Sequence, residues 1–175
     1  MCGMLKMIGV LLVVTASTGL GFSVSRDLKL RIDQLHYLRK LMLMLQGEIK
    51  YVKAPLPEAF ASIGRRIREP FQDFFAGVAQ DMDHCEGETF QEIWDRRIRE
   101  DLKETRLTKA DLESLRHMGE NIGYLDHEMQ LGTLGLYTEQ LENEIHAAEK
   151  VFGSKSRIYH CLGVMGGIFI AILIL

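Results

Sequence analysis

Proline is scarce in this chain and confined to one region. The three are Pro55, Pro57 and Pro70, and none follows. A long proline-free remainder with little alternating, β-branched sequence excludes a sheet protein and leaves room for long helices. Cysteine is also sparse: Cys2, Cys85 and Cys161 are odd in number and far apart. That excludes a disulfide framework and fits a reducing compartment. No glycine-rich phosphate loop is present, because "GTLGLY" (132–137) falls inside a helical heptad. The one metal-like cluster, "DMDHCEGE", sets a single His beside a single Cys in a turn. It lacks the spaced ligands of a zinc site and reads as a solvated acidic turn. His36, His117, His127 and His146 are scattered, with no nucleophile placed beside them. No metal, no cofactor and no enzymatic activity are therefore expected. A net charge of −3 is too mild for a nucleic-acid binder.

Charge is missing altogether from two stretches, residues 7–24 and 158–175. Each is about as long as the shortest helix that crosses the hydrocarbon of a bilayer. Lys6 followed by an apolar run and small residues also fits a cleaved signal peptide. The second stretch decides between the two. Lysines and arginines gather on the inner side of both runs: Arg26, Lys29 and Arg31 after the first, Lys150, Lys155 and Arg157 before the second. Positive charge on the cytoplasmic side of each run makes both of them retained spans with the middle of the chain in the cytoplasm. The expected organisation is a transmembrane helix over 4–24, a cytoplasmic helical bundle over 25–157 and a second transmembrane helix over 158–175. Gly163 with Gly167, and Ser17 with Gly21, are small residues four apart, the spacing that lets helices approach closely in lipid.

The middle reads as six helices, so the fold class is all-α: an antiparallel bundle with one transmembrane helix at each end. The first carries Leu28, Ile32, Leu35, Met42, Leu45, Ile49 and Val52 on one stripe, with Leu30, Tyr37, Leu41 and Met44 on a second. Pro55 and Pro57 stop it, and Pro57 suits the first turn of a helix over 57–68. Pro70 ends that helix and starts the third. The fourth, from "TFQEIW", buries Phe90, Trp94, Ile98 and Leu102. The fifth opens on Thr108 as N-cap, with Asp111 in the acidic place of a capping box and Leu107 and Leu112 as a staple. It weakens at Gly119 and closes near Gly123. The sixth starts near Asp126, repeats Leu134, Leu141, Ile145, Ala148 and Phe152, and can continue into the second span.

Short connections make neighbouring helices antiparallel, and two spans in one membrane require an even number of helices between them. The turns then sort by charge. Arg26, Lys29, Arg31, Arg65, Arg66, Arg68, Lys103, Arg106, Lys109, Lys150, Lys155 and Arg157 fall at the end facing the bilayer, more than half of the 21 Lys and Arg. Anionic headgroups attract such residues, and the helix over 57–68 is too short to carry Arg65, Arg66 and Arg68 as far as the first helix reaches, so these three face the bilayer without touching it. The opposite, distal end holds Pro55, Leu56, Pro57 and Glu58, the acidic turn with Asp83, Glu86 and Glu88, and Gly123 to Asp126. That set of turns is the candidate docking face for a cytoplasmic partner.

Five segments carry a resemblance: "MLKMIGVLLVVTASTGLGF", "APLPEAF", "TFQEIW", "LRHMGENIGYLDHEMQL" and "YHCLGVMGGIFIAILIL". Together they span essentially the whole chain, and it resembles the stage III sporulation protein AB family of endospore-forming bacteria. The family-like start falls at Met4, after "MCG". That family is in turn similar to the F-protein family, the membrane platform of type II secretion and type IV pilus systems. The resemblance implies a non-enzymatic platform subunit in the channel between mother cell and forespore. It further implies the mother-cell membrane as location, a secretion-type ATPase (stage III sporulation protein AA) and other channel membrane proteins as partners, and room for a homo-oligomer. A membrane-anchored helical signalling or scaffold protein unrelated to sporulation is the alternative. It would need a ligand-binding loop on the side of the membrane away from the bundle, where only about six residues before the first span and none after the second are expected.

Overall fold

The computed structural model describes the backbone of residues 2–84, 87–123 and 125–174 and the side chains of residues 23, 25–84, 87–120, 122–123 and 125–153. Ser17, Gly21, Gly163, Gly167, Lys155, Arg157 and Glu86 lie outside the described side chains. Among the described residues there are six α-helices and no strand: α1 (Cys2–Gly47), α2 (Leu56–Gly64), α3 (Gln72–His84), α4 (Phe90–Asp101), α5 (Lys109–Ile122) and α6 (His127–Ile174). Among them, no helix is long and apolar enough to cross a membrane. The uncharged stretches expected as spans fall almost wholly on side chains that are not described. In the backbone they belong to the two longest helices, of 46 and 48 residues.

The chain divides into two compact units, Met1–Ile32 with His146–Leu175, and Asp33–Ile145. In the first, Arg26 and Lys29 are exposed, Arg31 is half-buried and Lys150 is exposed. The second is a helical bundle. Its α1 and α6 segments run side by side in opposite directions, since Arg39 pairs with Glu142 at 2.9 Å and Gln46 Nε2 donates to the Leu131 carbonyl at 3.2 Å. Opposite direction also follows for α4 and α5: Phe90 lies against Gly123, and Trp94, one turn on, against Gly119.

The core of this unit is aromatic. Phe60, Phe71, Phe74, Phe75 and Trp94 are fully buried. Phe74 and Trp94 pack edge to face with centroids 4.8 Å apart, and Phe90 stacks on Trp94 at 5.4 Å. The indole N–H of Trp94 donates to the Leu115 carbonyl at 2.9 Å, so the buried ring leaves no polar atom unsatisfied. All four residues of the expected α4 stripe are buried, and so are Leu134, Leu141 and Ile145 of the α6 stripe; further along it, in the other unit, Ala148 is buried and Phe152 half-buried. The capping box of α5 forms as read: Thr108 N–H donates to Asp111 Oδ2 at 2.7 Å, and Asp111 N–H to Thr108 Oγ1 at 3.2 Å.

Four expectations about local structure change. Val52, placed on the buried stripe, is 66% exposed. A π-helical turn over Glu48–Val52 follows Gly47, and its wider winding keeps Ile49 in the core while carrying Val52 outward. Leu30, placed on a second contact face, is also exposed, whereas Leu41 of that face is in the core and Tyr37 and Met44 pack against it. The second helix ends at Gly64, short of residue 68, where Gly64 lies 3.1–3.3 Å (as an ideal Cβ) from the Ala76 backbone. Gly119 does not weaken α5, which continues to Ile122; its missing side chain makes room for Trp94.

Candidate functional site: the distal turns of the bundle

Within the unit Asp33–Ile145, three connections are tied together by one aromatic column. After the π-helical turn, Lys53 takes a left-handed conformation (φ 55°) and returns its N–H to the Glu48 carbonyl. Pro55 is extended (φ −61°, ψ 154°), and its carbonyl accepts from Ala59 N–H at 3.0 Å, opening α2. Pro57 sits in the first turn, where a missing N–H costs nothing. Phe60, one turn on, stacks on Phe90 with centroids 6.1 Å apart. Phe90 is the first residue of α4 and lies against Gly123, where a side chain would put its Cβ 2.5 Å from that of Phe90. The turns before α2, before α4 and after α5 thus share one support.

The turn before α4 is closed by charge and by a cap. Gly87 adopts φ 83°, a conformation that other residues enter at a cost. Thr89 caps α4 in a complete box with Glu92. Asp81 of α3 receives a two-pronged contact from Arg97, Nε to Oδ2 at 2.6 Å and Nη2 to Oδ1 at 2.7 Å, and a third from Arg96 Nη1 at 3.0 Å. The hydrogen bonds from Arg97 hold the Asp81 carboxyl below its ordinary range against the opposing effect of burial. Arg96 reaches on to Glu88, and that bond raises the already high basicity of the guanidinium. Asp101, one turn beyond Arg97, is shifted the other way: burial raises its carboxyl although Arg97 is 3.7 Å away. A shallow polar groove of about 350 Å³ lies here, lined by Gln80, Asp81, His84, Glu88 and Arg96. Both of its acids are engaged by arginines, Asp81 by Arg96 and Arg97 and Glu88 by Arg96, and among the described residues there is no cluster of His, Cys, Asp and Glu able to hold a metal ion.

The turn after α5 is built by Asp126, whose Oδ1 accepts from Met129 N–H at 2.9 Å, while Gln130 Nε2 donates to the Ile122 carbonyl at 3.0 Å. Both contacts satisfy helix-end groups that would otherwise lack partners.

The sequence-derived docking residues separate by exposure. Pro55, Glu58, Asp83, Glu88, Gly123 and Asp126 are exposed, and Pro57 is half-buried. Leu56 does not belong with them, because its side chain is part of the core. Glu88 is engaged by Arg96 and Asp126 accepts from the backbone of its own helix, which leaves Glu58 and Asp83 as the acids of this set with neither ion pair nor hydrogen bond among the described residues. Tyr51 and Val52 were missed as surface groups; they are 78% and 66% exposed beside this site. Their flanks, Lys50 and Lys53, were the legible signal, since charges on both sides of a two-residue apolar pair mark a solvated turn.

The basic residues assigned to the opposite end are less uniform. Arg65, Arg68, Lys103, Arg106 and Lys109 are exposed. The Arg68 N–H donates to the Tyr37 hydroxyl at 3.0 Å, and the Arg106 N–H to Gln34 Oε1 at 2.7 Å, which sets both turns along the 34–37 part of α1. Arg66 is exposed as well but is tied down. Its guanidinium is held by Glu48, in the π-helical turn, together with Ser62. The cause is length: α2 has only nine residues, too short to carry Arg66 far from the turn that starts it.

Three comparisons bear on this arrangement. The family model described as Stage III sporulation protein AB matches residues 6–175. Stage III sporulation protein AB of Bacillus subtilis (strain 168) is 25% identical over 172 residues, which covers 98% of this chain and 100% of that one. The solved structure of stage III sporulation protein AB (SpoIIIAB) superposes with a TM-score of 0.64 at 24% identity, over 71% of this chain and 97% of that one. At this identity the structural likeness bears on the fold alone.

Proposed function

This chain belongs to the stage III sporulation protein AB family, and with it to sporulation; from that premise we propose that it is a non-enzymatic membrane platform whose distal turns receive a secretion-type ATPase. The family match removes the alternative of a scaffold unrelated to sporulation. Two features favour mooring at both ends. The uncharged stretches 7–24 and 158–175 continue helices that also build the bundle. Basic residues border each stretch on its inner side, which favours a cytoplasmic middle. The location follows as the mother-cell membrane facing the forespore, with the other channel membrane proteins as neighbours in lipid.

The observation that carries docking is the aromatic column Phe60–Phe90 closed by Gly123. It makes three separate turns one preorganised surface, and a preorganised surface loses little freedom on binding. The exposed acids Glu58 and Asp83 favour a basic patch on the partner. The reading is tested with the full chain in membranes that also hold the ATPase. Reversing both acids, Glu58→Lys with Asp83→Lys, should leave the chain folded and membrane-bound but abolish co-purification and lower spore yield. Unchanged co-purification and spore yield would remove the distal turns from the account.

A further inference from the structure

The outer face shared by α1 and α6, in the unit Asp33–Ile145, is crossed by the Gln46–Leu131 hydrogen bond and otherwise takes no part in the contacts described above. Exposed Lys40, Leu43 and Lys50, with half-buried Gly47, follow one another at intervals of three and four along α1 and into the π-helical turn that continues it. Exposed Glu128, Gly132, Leu136 and Glu139 do the same on α6. That spacing places each set along one side of its helix. Between the two helices runs a groove of about 320 Å³ whose lining includes Leu43, Gly47, Tyr51 and Leu131. Leu43 is 44% and Leu136 72% exposed. A Cβ at Gly47 or Gly132 would meet nothing within 4 Å, so the surface is open at both glycines.

Charge divides this face down its length. The α1 stripe carries only lysines, the α6 stripe only glutamates, and Lys40, Lys50, Glu128 and Glu139 make no ion pair among the described residues. A face that is basic on one side and acidic on the other is complementary to itself after rotation by half a turn. The register agrees. Arg39 is level with Glu142 and Gln46 with Leu131, so Leu43 is level with Leu136, Lys40 with Glu139, Gly47 with Gly132 and Lys50 with Glu128.

We propose that this face is the contact between two copies of the chain, related by a two-fold axis running along α1 and α6. Such an axis sets α1 of one copy against α6 of the other at the same height. Lys40 then meets Glu139 of the second copy, Leu43 meets Leu136, and Lys50 meets Glu128, each contact occurring twice. The two leucines supply the apolar centre, the open glycines let the helices approach, and the charges fix the orientation. The axis also points both copies in the same direction, as two subunits in one membrane must point. The contact is independent of ATPase docking, since Glu58 and Asp83 take no part in it.

The test uses the full chain in isolated membranes, with Cys2, Cys85 and Cys161 replaced by serine. Two copies with different tags are co-expressed, one with Leu43→Cys and the other with Leu136→Cys, and oxidised briefly. Disulfide-linked product bearing both tags is expected. Lys40→Glu in both copies should reduce it by about tenfold, because like charges then face each other twice. Adding Glu139→Lys to the same copies should restore it. Retained Trp94 fluorescence confirms that each variant is folded. Absence of the mixed product, indifference to Lys40→Glu, failure of the charge swap to rescue, or capture of a different protein at Leu43→Cys would each overturn the proposal.

Discussion

Gly119 of α5 lies flat against Trp94 of α4, so close that a Cβ on the glycine would stand under 3.0 Å from Cδ1, Nε1 and Cγ of the indole. The indole is fully buried and cannot swing away. Gly119→Ala should therefore destabilise the bundle by about 1–3 kcal/mol through overpacking. Gly87→Ala meets no atom but keeps φ at 83°, and should cost about 1–2 kcal/mol from backbone strain alone. Denaturant titration followed by the single tryptophan separates the two cases. Only Gly119→Ala should also shift the native emission.

Asp81 ties α3 to α4. Its carboxyl is held below the ordinary value by hydrogen bonds from Arg97, so the folded state binds a proton less readily than the unfolded chain. That contribution is fully present above the unfolded pKa, near 3.8, and is lost as pH falls through the lower folded value. Asp101 acts in the opposite sense: its raised carboxyl weakens the fold as pH rises through that folded value, and acid relieves the penalty. Asp81→Asn should lower stability at pH 7 by about 1–3 kcal/mol. The gap from the unmodified protein should narrow in strong acid, as measured by denaturation at a series of pH values.

Two capping boxes start α4 and α5, at Thr89 and Thr108. Thr89→Ala and Thr108→Ala should each cost about 1 kcal/mol. Thermal denaturation of the single and double variants checks this, with the two effects expected to add.

Two residues three apart in sequence should respond very differently to truncation. Ile49→Ala removes a fully buried side chain and should cost about 2–5 kcal/mol. Val52→Ala should change stability by less than about 0.5 kcal/mol, because the π-helical turn has carried the side chain into solvent. Equal losses, measured by denaturant titration, would mean that the first helix keeps α geometry to its end.

Local chemistry was legible wherever one residue type has one physical use. Thr108 with Asp111 announced a helix start, Pro57 a first turn, and Trp94 with Ile98 and Leu102 a buried stripe; each is where the pattern put it. What the sequence did not disclose depends on contacts between distant residues. No local rule marks a change of winding after Gly47, so Val52 read as core. Gly119 read as a weak point because glycine is a poor helix former; only the indole across the interface explains it. Leu56 read as surface because prolines flank it. Arg66 groups with its basic neighbours by sequence, and only the contacts with Glu48 and Ser62 set it apart. In the docking site, the exposed acids were legible, and the aromatic column that unites their turns was not.

The proposed arrangement is a helical bundle held in the cytoplasm by a hydrophobic helix at each end, with its distal turns open to a partner. Thiol labelling of the full chain tests it most directly, with the native cysteines replaced by serine and Glu58→Cys as the single target. An impermeant maleimide should label Glu58→Cys in inverted membrane vesicles but not in intact cells, and the chain should resist extraction by alkaline carbonate. Labelling in intact cells, or release of the chain by carbonate, would contradict that arrangement.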